Sequence, residues 1–197
     1  MSGEILISND VETNGPIPGE YSMLSLGAAV FTRQDGRLHE TFSANLETAE
    51  GAKEDPDTMK WWATQPEAWK AHRENLEKPA DAMLRYLKWV KEVAAKHNAK
   101  PVFAGYPAGF DFNFVYNYLI KYTGESPYSF SALDIKTLVM ATLGCGYREV
   151  SKKNMPKHWF GKTRHDHTAL TDAIGQGELL CNILNDSRCV RCTPWAY

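Results

Sequence analysis

No stretch of about 18 consecutive apolar residues occurs in the chain, so no segment reads as a membrane-spanning helix. A positive leader followed by an apolar stretch and a small-residue cleavage site is missing too. Met1-Ser2-Gly3-Glu4 passes straight into an apolar run, and a cytoplasmic location is expected. Cysteine is sparse: Cys145, Cys181, Cys189 and Cys192 are the four in 197 residues, and in a reducing compartment they are expected as free thiols. Internal repeats, low-complexity tracts and an interdomain linker are absent as well. The simplest organisation is one domain over residues 1–197, long enough to bury a core without disulfide or metal staples.

Charge of one sign is also lacking, since 22 Lys/Arg stand against 24 Asp/Glu for a net charge of −2. Evenly spread, that balance would argue against a polyanionic partner. The distribution is uneven. Residues 148–165 hold six Lys/Arg (148, 152, 153, 157, 162, 164) against one acid, Glu149, a charge of +5, which leaves 16 against 23, or −7, elsewhere. Such a segment has the composition of a phosphate-binding loop and equally that of a solvated loop with no partner.

What is present is organised around the run Glu4-Ile5-Leu6-Ile7-Ser8-Asn9-Asp10-Val11-Glu12-Thr13. Side chains of a strand alternate between faces, so Asp10 and Glu12 should share one face while Val11 is buried on the other. Two carboxylates about 6–7 Å apart along a strand repel each other, and a divalent cation with oxygen ligands, typically Mg²⁺ or Mn²⁺, relieves that repulsion. An Asp-x-Glu triplet alone also fits a strand running out into solvent.

Further strands are expected over residues 23–31, 38–46, 100–105 and 133–135, the first two forming an antiparallel set with the N-terminal run. A short helix in the Trp61-Trp62 stretch should stop before Pro66. The adjacent tryptophans cannot share one helix face, so one reading makes them core and another leaves one free to stack on a base. An amphipathic helix is predicted over 79–96 from the spacing of Ala80, Met83, Leu84, Leu87, Val90 and Ala94. A second helix follows Asp111 and is apolar nearly all round; Asp111 itself reads by default as its N-cap. A last helix carries Asp172 in its first turns and runs to about residue 185, with His167 on the turn that enters it. The order of elements is α/β, with five strands forming a mixed sheet, and open sheets of this kind place sites at strand ends. Asp10, Glu12, Asp111 and Asp172 then come from three separate elements.

With these residues in place, the chain resembles the DEDDh family of 3′-5′ exonucleases, the ribonuclease H-like group that includes ribonuclease T, oligoribonuclease and a polymerase proofreading subunit. The resemblance rests on Asp10-Val11-Glu12-Thr13, on Gly109-Phe110-Asp111 opening a helix, and on His167-Thr168-Ala169-Leu170-Thr171-Asp172-Ala173, all in the family's order. The Trp61-Trp62-x-x-Gln65 stretch is similar to one bacterial and phage branch, whereas Tyr106-Pro107 stands where many members carry a His-Asn pair.

The resemblance implies a metal-dependent 3′-5′ exonuclease acting on single-stranded DNA or RNA with a free 3′ end. Asp10, Glu12, Asp111 and Asp172 would hold two Mg²⁺ or Mn²⁺ ions, and His167 would be the general base, a role that an imidazole titrating near neutrality suits. Substrate contacts are expected from Val11, Thr13, Trp61, Trp62, Phe110, Lys162 and Arg164, with Lys152, Lys153 and Lys157 also holding the strand. Backbone groups over 11–13 are candidates for reading a 2′-hydroxyl. A homodimer is a further expectation from the family. Two other readings stand beside this one: a non-catalytic nucleic-acid-binding module on the same fold, and a zinc or redox protein built on Cys181, Cys189 and Cys192, for which no second pair with the Cys189-x2-Cys192 spacing exists.

Overall fold

A computed structural model describes residues 3–32, 35–163 and 167–186. Arg164, His165, Cys189 and Cys192 lie outside the described residues. The expected α/β fold is present, with a sheet of six strands rather than five. They are β1 (Gly3–Thr13), β2 (Met23–Thr32), β3 (Leu38–Leu46), β4 (Leu76–Glu77), β5 (Ala99–Gly105) and β6 (Leu133–Asp134), in the spatial order β4-β3-β2-β1-β5-β6. The additional strand, β4, pairs two residues in parallel with the end of β3. A strand of two residues has no alternation to reveal it.

β1 is antiparallel to β2 and parallel to β5, and it outruns β5: their pairing ends at Ser8 and Ala104, while β1 continues along β2 to Thr13. Asp10 and Glu12 therefore stand beyond the end of the parallel pairing, where ligands gather in open α/β sheets. Alternation along β1 divides its side chains as expected. Ile5, Ile7 and Val11 enter the core beneath α3 (Pro79–Lys96) and α4 (Ala108–Thr123); Leu6 enters the second core beneath α5 (Ile135–Leu143) and α6 (Ala169–Asn185). The acids share the α6 face.

The tryptophan stretch forms two short helices, α1 (Pro56–Trp62) and α2 (Pro66–His72); the second starts at the proline that ends the first segment, a favourable first helical position. The helix over 79–96 occupies the predicted span. Residues 147–159 form three single turns of 3₁₀ helix, a conformation without apolar periodicity. Among the described residues, no helix is long and apolar enough to cross a membrane.

Candidate active site

The acids converge because α6 lies unusually close to the sheet. Gly27 on β2 pairs with Asp10 across the ladder. A Cβ at Gly27 would stand 2.2 Å from the carbonyl carbon of Ala169, and one at Gly177 would stand 2.1 Å from the Phe31 ring. Only residues without side chains permit that approach at these two points. Asp172, one turn into α6, is thereby buried against the end of β1. One turn further on, Gln176 Nε2 donates to Asp10 Oδ1 at 2.6 Å.

Asp111 arrives from the opposite layer. It is not the N-cap expected by default: that position is Pro107, and Ala108 N donates instead to Asp134 Oδ2 at 2.7 Å. Asp111 lies in the first turn of α4, buried, and its Oδ1 accepts from Val11 N at 3.2 Å. This bond fixes the helix start against β1. It also occupies one of the backbone donors that the sequence had offered to a sugar hydroxyl.

His167 sits directly before the N-cap Thr168 of α6, on the entering turn as expected, with φ of 59°. Ligand atoms of Glu12, His167 and Asp172 all lie within 4.8 Å of one another. The imidazole is therefore at the edge of the carboxylate group, and its ring meets Trp61 edge-on at 5.2 Å between centroids.

The electrostatics of the group are those of a cation site. Burial, then Asp111, Glu12 and Asp172 in turn, push the Asp10 carboxyl well above its ordinary range. Burial followed by Asp172 and Asp111 raises Glu12 to about 8. Asp111 is raised to about 7, chiefly by burial, although bonds such as that from Val11 N oppose the shift. Repelling carboxylates with oxygen donors from three elements match the ligand chemistry of hard divalent ions, so the residues fit the metals expected of them.

Two hollows flank the carboxylates. One, of about 200 Å³, is lined by Val11, Glu12, Thr13, Trp61, Trp62 and Phe110, among others. The tryptophans divide their roles: Trp62 is 2% exposed and donates from Nε1 to Thr13 O at 2.9 Å, while Trp61 is 40% exposed beside partly exposed Phe110. The larger hollow, of about 420 Å³, runs from Asp10 and Asp172 past Gln176 to Tyr106, Lys152 and Phe160. Lys162 is exposed but lines neither hollow, and Lys153 and Lys157 are exposed on the same segment. Gln176 escaped the sequence reading; its signal was its spacing, four residues after Asp172 on one helix face. The thiol reading loses Cys181, which is buried in the core beneath α6 with its pKa pushed up to about 11, mainly by burial.

Similar proteins share this frame. The family model described as 3′-5′ exoribonuclease Rv2179c-like domain matches residues 6–184. The 3′-5′ DNA exonuclease Cap18 of Escherichia coli is 37% identical over 178 residues, covering 89% of each protein. Among solved structures, the nuclease domain of 3′hExo, a DEDDh family member bound to rAMP, superposes with a TM-score of 0.69 at 10% identity, over 95% of this chain and 94% of that one. Escherichia coli ExoI in a complex with single-stranded DNA superposes with a TM-score of 0.64 at 16% identity, over 89% of this chain and 39% of that one. The two superpositions establish the fold; the family model and Cap18 carry the relationship further, and the chain belongs to the 3′-5′ exoribonuclease Rv2179c-like family, as a 3′-5′ exonuclease.

Proposed function

We propose that the protein removes nucleotides from the 3′ end of single-stranded nucleic acid with two divalent ions, Mg²⁺ or Mn²⁺, held by Asp10, Glu12, Asp111 and Asp172, and with His167 as general base. The observation that carries this reading is the convergence of four carboxylates from β1, α4 and α6, Asp111 and Asp172 buried and Asp10 and Glu12 half-buried, with an imidazole at their edge. When bound, the ions would supply charge stabilisation at the phosphoryl and leaving 3′ oxygens and favour ionisation of the attacking water.

The chain's own groups do the rest. His167 accepts the proton of the attacking water, from a position within reach of both Glu12 and Asp172. Gln176 holds one oxygen of Asp10, leaving the other to face the site. The smaller hollow takes the terminal nucleoside, with Trp61 and Phe110 offering ring surface and the rim over Val11 and Thr13 closing the floor. The larger hollow receives the preceding nucleotides, with Lys152 and the exposed Lys153, Lys157 and Lys162 attracting their phosphates; Arg164 is assigned to the same role by its place in the basic run. The relatives' names point to different sugars, DNA for Cap18 and RNA for the family description. The sugar is therefore what the test should read.

That test is a denaturing-gel time course on DNA and RNA oligonucleotides of one sequence, labelled at either end, with Mg²⁺, Mn²⁺ or EDTA and with Asp10→Ala as control. Expected is a metal-dependent ladder shortening from the 3′ end, absent in the variant. Cleavage that survives EDTA, or no cleavage of either strand with any metal, would overturn the reading.

A further inference from the structure

A buried histidine outside the carboxylate cluster touches the catalytic turn. His72 closes α2, is 2% exposed, and packs edge-on against Trp62 at 5.2 Å between centroids. Its Nδ1 lies 3.0 Å from Ser25 Oγ, and its Nε2 lies 2.7 Å from the backbone carbonyl oxygen of His167. A carbonyl can only accept, so Nε2 carries a proton. In the neutral ring Nδ1 is then the acceptor and the Ser25 hydroxyl the donor. Ser25 is the ladder partner of Glu12 on β2. His72 thus links the strand position opposite a carboxylate to the backbone that carries the imidazole.

That backbone needs holding. His167 has φ of 59°, in the left-handed region that a residue with a side chain adopts rarely and keeps only where its surroundings enforce it. Relaxation to negative φ would swing the imidazole away from Glu12 and Asp172. Both imidazoles are packed by the same tryptophan pair: Trp61 meets the His167 ring, and its neighbour Trp62 meets the His72 ring.

We propose that His72 is a positioning residue, its Nε2–H clamping the His167 carbonyl so that the left-handed turn presents the imidazole to the reacting water. The proposal rests on the reading of His167 as general base. It assigns α2 a second task beside packing Trp62, whose ring meets that of Trp69 at 5.5 Å between centroids: the helix brings one imidazole against the backbone of another.

The test is a double-mutant cycle on the full chain with Mg²⁺ and a 3′-end substrate, comparing His72→Leu, His167→Ala and their combination, with kcat and KM separated and Mg²⁺ binding followed by calorimetry. His72→Leu should lower kcat roughly 10–100-fold while KM and Mg²⁺ affinity stay near the parent's. In the His167→Ala background the same change should cost less than about twofold. A loss of equal size in both backgrounds, or an unchanged kcat in a folded His72→Leu protein, would overturn the clamp. Should the leucine variant not fold, His72→Gln and His72→Asn carry the comparison. Gln returns a donor near the Nε2 position and should recover most of kcat, whereas Asn returns only the Ser25 side; Asn equal to or better than Gln would overturn the proposal. His167→Ala as active as the parent would overturn the general-base reading itself. A slow His167→Ala with an additive His72 effect would overturn only the clamp.

Discussion

The two walls of the cleft face the same carboxylates but are held in place by different means. On the β1 side the chain is tied at nearly every step. Thr13 O accepts from Trp62, Thr13 Oγ1 donates to Gly15 O at 2.9 Å, and Asn14 Oδ1 accepts from Ser22 N at 2.6 Å. On the basic side three anchors carry the segment. Val150, Met155 and Trp159 are buried in the core beneath α6, Trp159 Nε1 donates to Asp186 Oδ2 at 2.7 Å, and Asn182 Nδ2 donates to Trp159 O at 3.0 Å. The lysines between them are exposed. A wall of the first kind can shape a pocket for one nucleoside, because its aromatic faces are fixed before any ligand arrives. A wall of the second kind offers charge at long reach and little shape, which suits the phosphates of the proposed strand.

Removing the shared centre should produce the largest effect. Asp10→Ala is expected to abolish cleavage on a gel while leaving the metal-free protein as stable as the parent or more so, since it deletes one of several repelling carboxyls. The pH dependence sharpens this. Glu12 titrates at about 8 in the folded chain against an ordinary 4.5, so between those values the folded state holds a proton that the unfolded state has released. Asp111, at about 7 against 3.8, acts in the same direction. The stabilising contribution is complete below the ordinary values and is lost as pH rises to about 8. Metal-free protein should therefore melt at lower temperature at pH 8 than at pH 5, with Mg²⁺ reversing most of the loss and Asp10→Ala reducing its size. A melting temperature that rises with pH in EDTA would contradict the electrostatic account.

Next in size is His167→Ala, expected to slow turnover by about 10²–10⁴-fold with Mg²⁺ affinity nearly unchanged. The imidazole lies within 4.8 Å of Glu12 and Asp172 ligand atoms, so calorimetry decides between base and ligand. Loss of Mg²⁺ binding would make it a ligand.

The aromatic wall comes third. Trp61→Ala or Phe110→Ala should raise KM roughly tenfold, the value of one base stacked on a ring, without moving the melting temperature far, because both rings are substantially exposed. Trp62→Ala should differ in kind. That ring is buried and holds the Thr13 carbonyl, so its removal should cost about 3–5 kcal/mol of stability as well as binding. Comparing Trp61→Ala with Trp62→Ala by calorimetric melting and KM tests whether adjacent, identical residues have separate tasks.

The sequence made these walls unequally readable. On β1 the alternation that buries Val11 and faces Asp10 and Glu12 to one side is a two-residue period, and the structure reproduces it. The helix over 79–96 was legible because an apolar stripe is a local signal, and the turn at His167 because five residues separate it from Asp172, a spacing that puts the two on different helix faces. The closeness of α6 was not. It depends on what is missing at Gly27 and Gly177, and an absent side chain has meaning only once the facing element is known. The same holds for the bond between Asp111 and Val11 N, which joins residues 100 positions apart. His72 carried no signal at all, because its partners on β2 and before α6 become neighbours only through the fold.

The smallest effect belongs to the basic wall, and its form is more diagnostic than its size. Lys152 lines the larger hollow, while Lys153 is exposed in the same 3₁₀ turn without lining it. Each phosphate neutralised on a single strand contributes about −0.7 to the slope of log affinity against log salt. Lys152→Ala should therefore raise KM only a few fold at about 0.1 M salt and flatten that slope by nearly one contact. Lys153→Ala should raise KM less and move the slope less. Neither should alter kcat or the melting temperature, because neither side chain is an anchor of the segment. A Lys152→Ala protein with unchanged salt dependence would show that the strand leaves the carboxylates by another route, and the charge of the segment would then read as solvation alone.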